Sequence, residues 1–378
     1  MYYVYFLLKS TVFQKHLQEM SRSAQAGFNK GNLSRIRIPI PPLNEQKRIV
    51  AKVDQLMKLC DELEERNQKK RQIRVRLNQS ALDHLLASST PVEFNAQWQR
   101  ICNTFDMLYD TSETISKLRR SILQLAVQGK LSTQSPNDEP ASVLLEKIKV
   151  GKHKLIREKK LRETEPLLPV KPKDLLNNKP MGWEYARLGS CIELISGQHL
   201  GQEEQNVKGE GLPYLTGPAD FGEINPIATR WTTMTKVIAE KNDILITVKG
   251  AGVGKSNILS LDKAAIGRQL MAIRSMGIEN EYLYILVIAS YDDFQSLSIG
   301  ATVPGISRKD ILNYLVCVPP FNEQKRIVAK VDQLMKLCGE LEAKLTRSQS
   351  ISKNLIASIV NHLSTTQESE TARAALSR

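Results

Sequence analysis

Apolar residues recur at alternating spacings of three and four in two separate stretches of the chain. The first series is Ile49, Val53, Leu56, Cys60 and Leu63, and the second is Ile327, Val331, Leu334, Cys338, Leu341 and Leu345. This spacing places each series on one face of an α-helix, as in the seam of a coiled coil. Two long helices are therefore predicted, although such a stripe is also typical of the buried face of any amphipathic helix.

The two helices belong to an internal repeat. Residues 41–60 read PPLNEQKRIVAKVDQLMKLC and residues 319–338 read PPFNEQKRIVAKVDQLMKLC, so only Leu43 and Phe321 differ. The separation of 278 positions is too long for a solenoid and indicates a duplicated domain with its own connecting helix. Because tethered copies have a high effective concentration, we predict that the two seams pair with each other in an antiparallel coiled coil.

Each copy begins with signals for a helix start. The Pro-Pro pair cannot continue a strand, and Asn44 or Asn322 follows as the predicted N-cap. Glu45 or Glu323 comes next, where the helix dipole favours an anion.

The rest of the chain alternates between helical and β-rich patterns. Helices are predicted at 13–20, 44–88, 111–128, 142–162 and 281–290, and strands at 35–40, 243–248 and 264–274. The sequence therefore predicts an α+β chain with one mixed α/β domain, the remnant of another, and long connecting helices. The predicted segments are a remnant domain, a central helical region, a Pro-rich linker, the mixed domain, a distal helix and a disordered tail: 1–42, 43–165, 166–182, 183–318, 319–365 and 366–378.

The net charge of +13 and the pI near 9.4 favour a polyanionic partner, because clustered cations release the counterions condensed on nucleic acid. A well-solvated basic protein is the alternative.

The five cysteines form no CxxC pair, so neither a disulfide framework nor a metal site is expected. The apolar start, Tyr2 to Leu8, is too short for a secretion signal or a membrane span. We expect a cytoplasmic protein that does not contact a membrane.

Two catalytic interpretations fail on spacing. The segment KGAGVGKS at 249–256 approaches a phosphate-binding loop, but Lys249 stands where that loop needs its first glycine, and a strand rather than a helix is predicted to follow. The five histidines are scattered without a metal-binding spacing. No catalytic residue and no metal ligand is therefore predicted.

Four motifs together resemble the specificity subunits of type I restriction-modification systems: PPxNEQ after each domain, SILQLAVQGKL at 121–131, GWE at 182–184 and GRQL at 267–270. The resemblance implies two target-recognition domains that each read half of a bipartite DNA sequence, with the two helices as spacer. About 30 helical residues span about 45 Å, enough to separate two readers by one turn of DNA, about 34 Å. Tyr3 aligns with Tyr282, so we expect the first recognition domain to be largely missing.

The resemblance also implies a non-catalytic subunit that binds double-stranded DNA. It would bind methyltransferase subunits, which carry S-adenosylmethionine, and an endonuclease/translocase subunit that uses ATP, with no cofactor of its own. A homodimer or pairing with another specificity subunit is a further expectation. The alternative is a truncated coiled-coil assembly fragment that binds methyltransferase subunits without effective DNA recognition.

Candidate DNA contacts lie in the mixed domain. Arg268 and Gln269 suit bidentate reading of guanine and adenine, with hydrogen bonds to buried carbonyl groups as the alternative role of either residue. In the Gly-rich segment, Lys249 and Lys255 are candidate phosphate contacts, with a tight structural turn as the alternative. Four further candidates lie in predicted loops, where a structural role is the alternative: Tyr214, Thr216, Arg230 and Arg308.

Overall fold

The computed structural model describes residues 2–10, 13–14, 17, 31, 34, 36–88, 91–109, 111–163, 165–171, 179–222, 225–234, 236–298 and 304–376. The chain divides into two compact units, Met1–Gln79 and Ser80–Arg378. Most of the predicted helix at 13–20, and residues 172–178 of the predicted linker, lie outside the described residues.

The first unit contains helix α1 (Tyr2–Lys9) and most of α2 (Leu43–Ala87). The strand predicted at 35–40 was wrong: residues 36–40 are described without strand pairing, and the described part of this unit offers no strand as a partner. A segment with alternating apolar residues forms a strand only where a neighbouring strand pairs with its backbone N–H and C=O groups.

The repeated helix starts have the same local structure in both copies. Gln46 Nε2 donates to the Pro41 carbonyl at 2.8 Å, and Gln324 Nε2 donates to the Pro319 carbonyl at 2.9 Å. The helices begin at Leu43 and Phe321, so the predicted N-cap asparagines lie inside the first turn instead. The reason is that the second proline of each pair already supplies the carbonyl that starts the helix, as the 3.0 Å bond from Gln324 N to Pro320 O illustrates.

The second unit begins with a group of helices. They are α3 (Pro91–Asn103), α4 (Phe105–Leu108), α5 (Ser112–Val127) and α6 (Ala141–Arg157). Helix α5 begins at a capping box between Thr111 and Thr114 and is followed by Gly129, whose φ of 71° lies in the left-handed region. Its apolar face is buried. The predicted helix at 111–128 is confirmed.

A sheet domain follows, and the order of its elements is β1 (Glu184–Arg187), α7 (Leu188–Cys191), β2 (Ile192–Ser196), β3 (Leu212–Leu215), β4 (Trp231–Thr232), β5 (Ile238–Glu240), β6 (Ile244–Thr247), β7 (Ser256–Ile258), β8 (Lys263–Ile266), β9 (Leu270–Ser275), α8 (Asn280–Ala289), α9 (Tyr291–Leu297), α10 (Arg308–Leu312) and β10 (Leu315–Val318). Strands β1 and β10 pair antiparallel, with Glu184 opposite Val318. This pairing brings the two ends of the domain together.

Two four-stranded sheets form the body of the domain, with strand orders β2-β9-β6-β7 and β4-β3-β8-β5. All four residues of β6 are buried, because its two faces are both covered: Leu245 joins a core between the sheets, while Ile244 and Ile246 join the core shared with the helices. The single run predicted at 264–274 is instead two strands, β8 and β9, which belong to different sheets. Its alternating pattern cannot show that the chain crosses from one sheet to the other.

The last helix, α11 (Phe321–Leu376), packs on α5 and α8. Ile327, Val331, Leu334 and Cys338 are buried in the core of the second unit, so this part of the seam has α5 as a partner that the sequence did not indicate. Pairing between the two repeated helices stays a prediction. The helix also continues to Leu376, through the segment from 366 that was predicted to be disordered; its Ala-rich end, TARAAL, has high helix propensity.

Candidate nucleic-acid interface

Strands β2, β3, β6 and β8 all end at one edge of the sheet domain, and backbone hydrogen bonds join their ends. Gly267 N donates to Leu215 O at 2.7 Å, Gln198 N to Ile266 O at 3.0 Å, and Val248 N to Gln269 O at 2.8 Å. Gly197 is required here, because a Cβ at that position would lie 2.1 Å from the Gly267 carbonyl oxygen. The loops at this edge are therefore held on rigid strand ends.

The turn between β8 and β9 carries Arg268 and Gln269. It is closed by a 2.8 Å bond from Leu270 N to Gly267 O, and both side chains are exposed while Gly267 and Leu270 are buried. Among the described residues, neither side chain donates a hydrogen bond to a buried carbonyl group. The turn thus presents one guanidinium and one amide to solvent, the two groups best suited to reading base edges.

The Gly-rich segment forms the loop between β6 and β7, beside that turn. The backbone of Lys249 forms an isolated antiparallel β-bridge with Gly305, and Ile306 N donates to Val248 O at 3.0 Å. Val253 is buried and anchors the loop, whereas Lys249 and Lys255 are exposed. The strand predicted after the segment is confirmed as β7, and a strand offers no helix amides for a nucleotide phosphate.

Two of the predicted loop residues instead hold the edge together. Tyr214 was predicted in a loop but lies in β3, buried, with its hydroxyl donating to Gln198 O at 3.3 Å. Burial raises the pKa of Tyr214, and the nearby Arg230 and Arg268 partly oppose that rise. Thr216 donates its hydroxyl to Asp220 at 2.8 Å. The aromatic ring of tyrosine is stabilised by burial in the sheet, which explains why the prediction of a loop at Tyr214 was wrong.

The two remaining arginines differ in exposure. Arg230 is exposed and donates to the Gln205 side chain at 2.9 Å, and its other guanidinium N–H groups have no partner among the described residues. Arg308 begins α10 rather than lying in a loop, and it donates to Leu194 O at 2.5 Å and to Ser196 Oγ at 3.3 Å. Burial lowers the pKa of Arg308. Arg308 therefore fastens α10 to β2.

Sequence reasoning missed two residues at this edge. Asp220 is buried and accepts bonds from the backbone N and the hydroxyl of Thr216, at 2.7 and 2.8 Å, which fixes the loop after β3. The TGPAD motif, with Thr and Asp four positions apart, is the signal for it. Gln198 Nε2 is buried without a hydrogen-bond partner among the described residues, and no pattern in the sequence indicates it.

The predicted helix at 142–162 is rich in lysine and arginine, and it contributes mostly to a solvated surface. Lys147 pairs with Glu139 at 2.8 Å and Lys160 with Glu158 at 2.8 Å, while Lys152 donates to the carbonyls of Gly189 and Ile192.

The described residues meet the requirements of neither a metal site nor a membrane-spanning helix. Among them, no group of three or more His, Cys, Asp or Glu side chains is arranged to hold a metal ion. The helices in the described ranges also include none with the length and apolar character of a membrane span.

Comparisons with known proteins agree with this architecture. The profile of the type I restriction modification DNA specificity domain matches residues 1–74 and 180–351, one segment for each repeat. The EcoAI specificity subunit of Escherichia coli is 33% identical over 329 residues, which is 81% of this chain and 54% of that protein. The EcoEI subunit from the same species is 29% identical over 84% of this chain and 57% of its own length.

A solved chain from a study of complex assembly and conformational transition in the type I R-M system has a TM-score of 0.53 and 25% identity, and covers 93% of this chain and 68% of that one. The chain spans about half the length of the curated relatives it matches. The matched profile covers most of the chain, including the sheet domain and the starts of both repeated helices. The chain belongs to the family of the type I restriction modification DNA specificity domain.

Proposed function

We propose that this chain reads DNA as the specificity subunit of a type I restriction-modification complex and directs that complex to its target. The observation that carries the proposal is the convergence of Lys249, Lys255, Arg268 and Gln269, all exposed, on one rigid edge of the sheet domain. Two lysines suit phosphates, and the arginine and glutamine suit base edges. A site on strand ends holds such groups more rigidly than long loops would.

The chemistry of cleavage and methylation belongs, in this proposal, to other subunits. Methyltransferase subunits would carry S-adenosylmethionine, and an endonuclease/translocase subunit would use ATP, while this chain needs neither cofactor. The Gly-rich segment at 249–256 supports this division. Its glycine spacing differs from that of a phosphate-binding loop, and it is followed by a strand rather than by the helix that would bind a nucleotide phosphate. A cytoplasmic location is part of the same proposal, since the DNA target lies there.

Selection from a random DNA library tests the DNA-reading role without knowledge of the target. The full chain would be incubated with duplexes that contain a randomised region, and bound DNA would be sequenced over several rounds at about 150 mM salt. We expect enrichment of one defined sequence. A pool that stays random, with weak binding that depends on salt alone, would instead support an assembly role without DNA recognition.

A further inference from the structure

Gln269 and Gly217 lie against each other at the DNA edge, the edge of the sheet domain where β2, β3, β6 and β8 end. The position that a Cβ of Gly217 would take lies only 2.5 Å from Gln269 Oε1, closer than a real Cβ approaches such an atom. The next atoms are Cδ and Cβ of Gln269, at 3.6 and 3.9 Å. The Gln269 amide therefore uses the space that a side chain at position 217 would fill.

The backbone conformation of Gly217 does not itself require glycine. Its φ is 179° and its ψ is −169°, which is extended backbone that any residue adopts. The three atoms nearest to the missing Cβ all belong to the flexible side chain of Gln269. An alanine at position 217 would therefore leave the backbone in place and displace the amide.

Hydrogen bonds hold the segment that carries Gly217. The Asp220 carboxylate accepts from Thr216 N at 2.7 Å, and Asp220 N donates to the Gly217 carbonyl at 3.1 Å. Asn257 Nδ2, in β7, donates to Phe221 O at 2.7 Å. The segment beside the amide is thus a fixed surface, so the amide has to move when a side chain is added.

The turn that carries Gln269 is fixed as well, which leaves its side-chain torsions as the variable part. Val248 N donates to Gln269 O at 2.8 Å, and Leu270 N donates to Gly267 O at 2.8 Å. Oε1 faces Gly217, and Nε2 is not among the three nearest atoms, so the amide turns its N–H groups away from the segment. This orientation directs two donors outward, where the edge of a base offers acceptors.

We propose that Gly217 is a specificity-determining position, because its missing side chain sets the direction in which the Gln269 amide meets a base. Gly217 acts through Gln269 and is therefore a positioning residue. The inference rests on the proposed DNA-reading function. A side chain at position 217 turns the amide and so changes the base-pair preference at one position of the target, while the phosphate contacts stay as they are.

Library selection with the Gly217→Ala variant of the full chain tests the inference. The base pair that Gln269 reads is first located as the position whose preference Gln269→Ala removes. We expect Gly217→Ala to change the preference there by about fivefold or more, as loss of one base contact does, and to leave the other positions unchanged. Unchanged preference at every position, or a uniform loss of affinity for all sequences, would overturn the inference.

Thermal unfolding checks that the variant keeps its fold. The Tm of Gly217→Ala should stay within about 2 °C of that of the unchanged chain, because only a flexible side chain moves. A much larger fall in Tm would mean that the backbone moves, and would contradict the displacement of the amide alone.

A double variant separates positioning from a direct structural effect. In the Gln269→Ala background no amide remains to be displaced, so the addition of Gly217→Ala should change neither the selected sequence nor the affinity any further. An equal effect of Gly217→Ala with and without the Gln269 side chain would show that alanine alters the edge directly, and the proposal would fail.

Gly151→Ala is the matched control. Gly151 is exposed in α6, and a Cβ there would meet nothing within 4 Å, so this variant should keep the selected sequence. The inference and the DNA-reading function fail in different ways. A library that stays random with the unchanged chain would overturn both, whereas a defined sequence that Gly217→Ala leaves intact would overturn only the role of Gly217.

Discussion

Trp183 Nε1 donates to the Glu323 carboxylate at 3.0 Å, and this bond joins the first residues of the sheet domain to the first turn of α11. Ser132 donates to the same carboxylate at 2.8 Å. Both Trp183 and Glu323 are 1% exposed, and burial raises the pKa of Glu323. A buried carboxylate with two donors thus fixes the orientation of the sheet domain on α11.

Replacement of Glu323 by Ala should lower the free energy of unfolding by about 1–3 kcal/mol, since it leaves the buried Trp183 donor unsatisfied. Chemical denaturation followed by fluorescence would measure the change. The repeat supplies its own control, because Glu45→Ala alters the equivalent exposed residue and should change stability by less than about 0.5 kcal/mol. Equal effects of the two variants would contradict the structural role of Glu323.

The Asp138–Arg326 ion pair should make stability depend on pH. Hydrogen bonds from Arg326 and Asn322 hold the pKa of Asp138 below its ordinary value of 3.8. Because the folded-state pKa is depressed, the stabilisation is present above pH 3.8 and is lost as the pH falls through the folded-state pKa. Asp138→Asn should therefore cost about 1 kcal/mol at pH 7 and less at pH 3.

Urea denaturation at both pH values would test this dependence. Glu139→Gln is the control, because Glu139 is an adjacent carboxylate whose ion pair with Lys147 is exposed, and exposed pairs contribute little. A cost for Asp138→Asn that does not change with pH would show that the pair does not stabilise the fold as an ion pair.

Arg268→Ala should relax DNA specificity at one base pair. If its guanidinium reads a guanine, discrimination at that position falls by about 1–3 kcal/mol while the other positions keep their preference. Repeating the library selection with the variant would reveal the position, and Gln269→Ala should relax a neighbouring one. A uniform loss of affinity for every sequence would mean that Arg268 contacts phosphate instead.

Lys249→Ala should weaken binding to all DNA sequences alike. Loss of one phosphate contact reduces the slope of log affinity against log salt by about 1. Titrations between about 50 and 200 mM salt would measure that slope, with Lys241→Ala as control, because Lys241 precedes the start of β6 at the opposite edge of the sheet. An unchanged slope for Lys249→Ala would remove this residue from the interface.

Local elements were predictable because local residues determine them. The helix predicted at 111–128 is α5, and Gly129 ends it in the left-handed conformation, as helix propensity and capping rules require. The repeat likewise predicted two long helices, which begin one residue before each expected N-cap.

Tertiary partners were not predictable in the same way. The stripe of Ile327, Val331 and Cys338 suits any apolar partner, so its spacing could not distinguish α5 from the other repeat. Among the proposed DNA residues, type alone did not separate Arg268, which is exposed, from Arg308, which holds a carbonyl of β2. Hydrogen-bond partners distant in sequence decide that difference.

Lysine acetylation of the full chain with and without its selected DNA, followed by mass spectrometry, tests the proposed interface most directly. Lys249 and Lys255 lie at the DNA edge, whereas Lys241 and Lys263 lie at the opposite ends of strands β6 and β8, and all four are exposed. We predict that DNA protects Lys249 and Lys255 from acetylation and leaves Lys241 and Lys263 reactive. Protection of Lys241 and Lys263 with Lys249 and Lys255 still reactive would contradict the proposed interface.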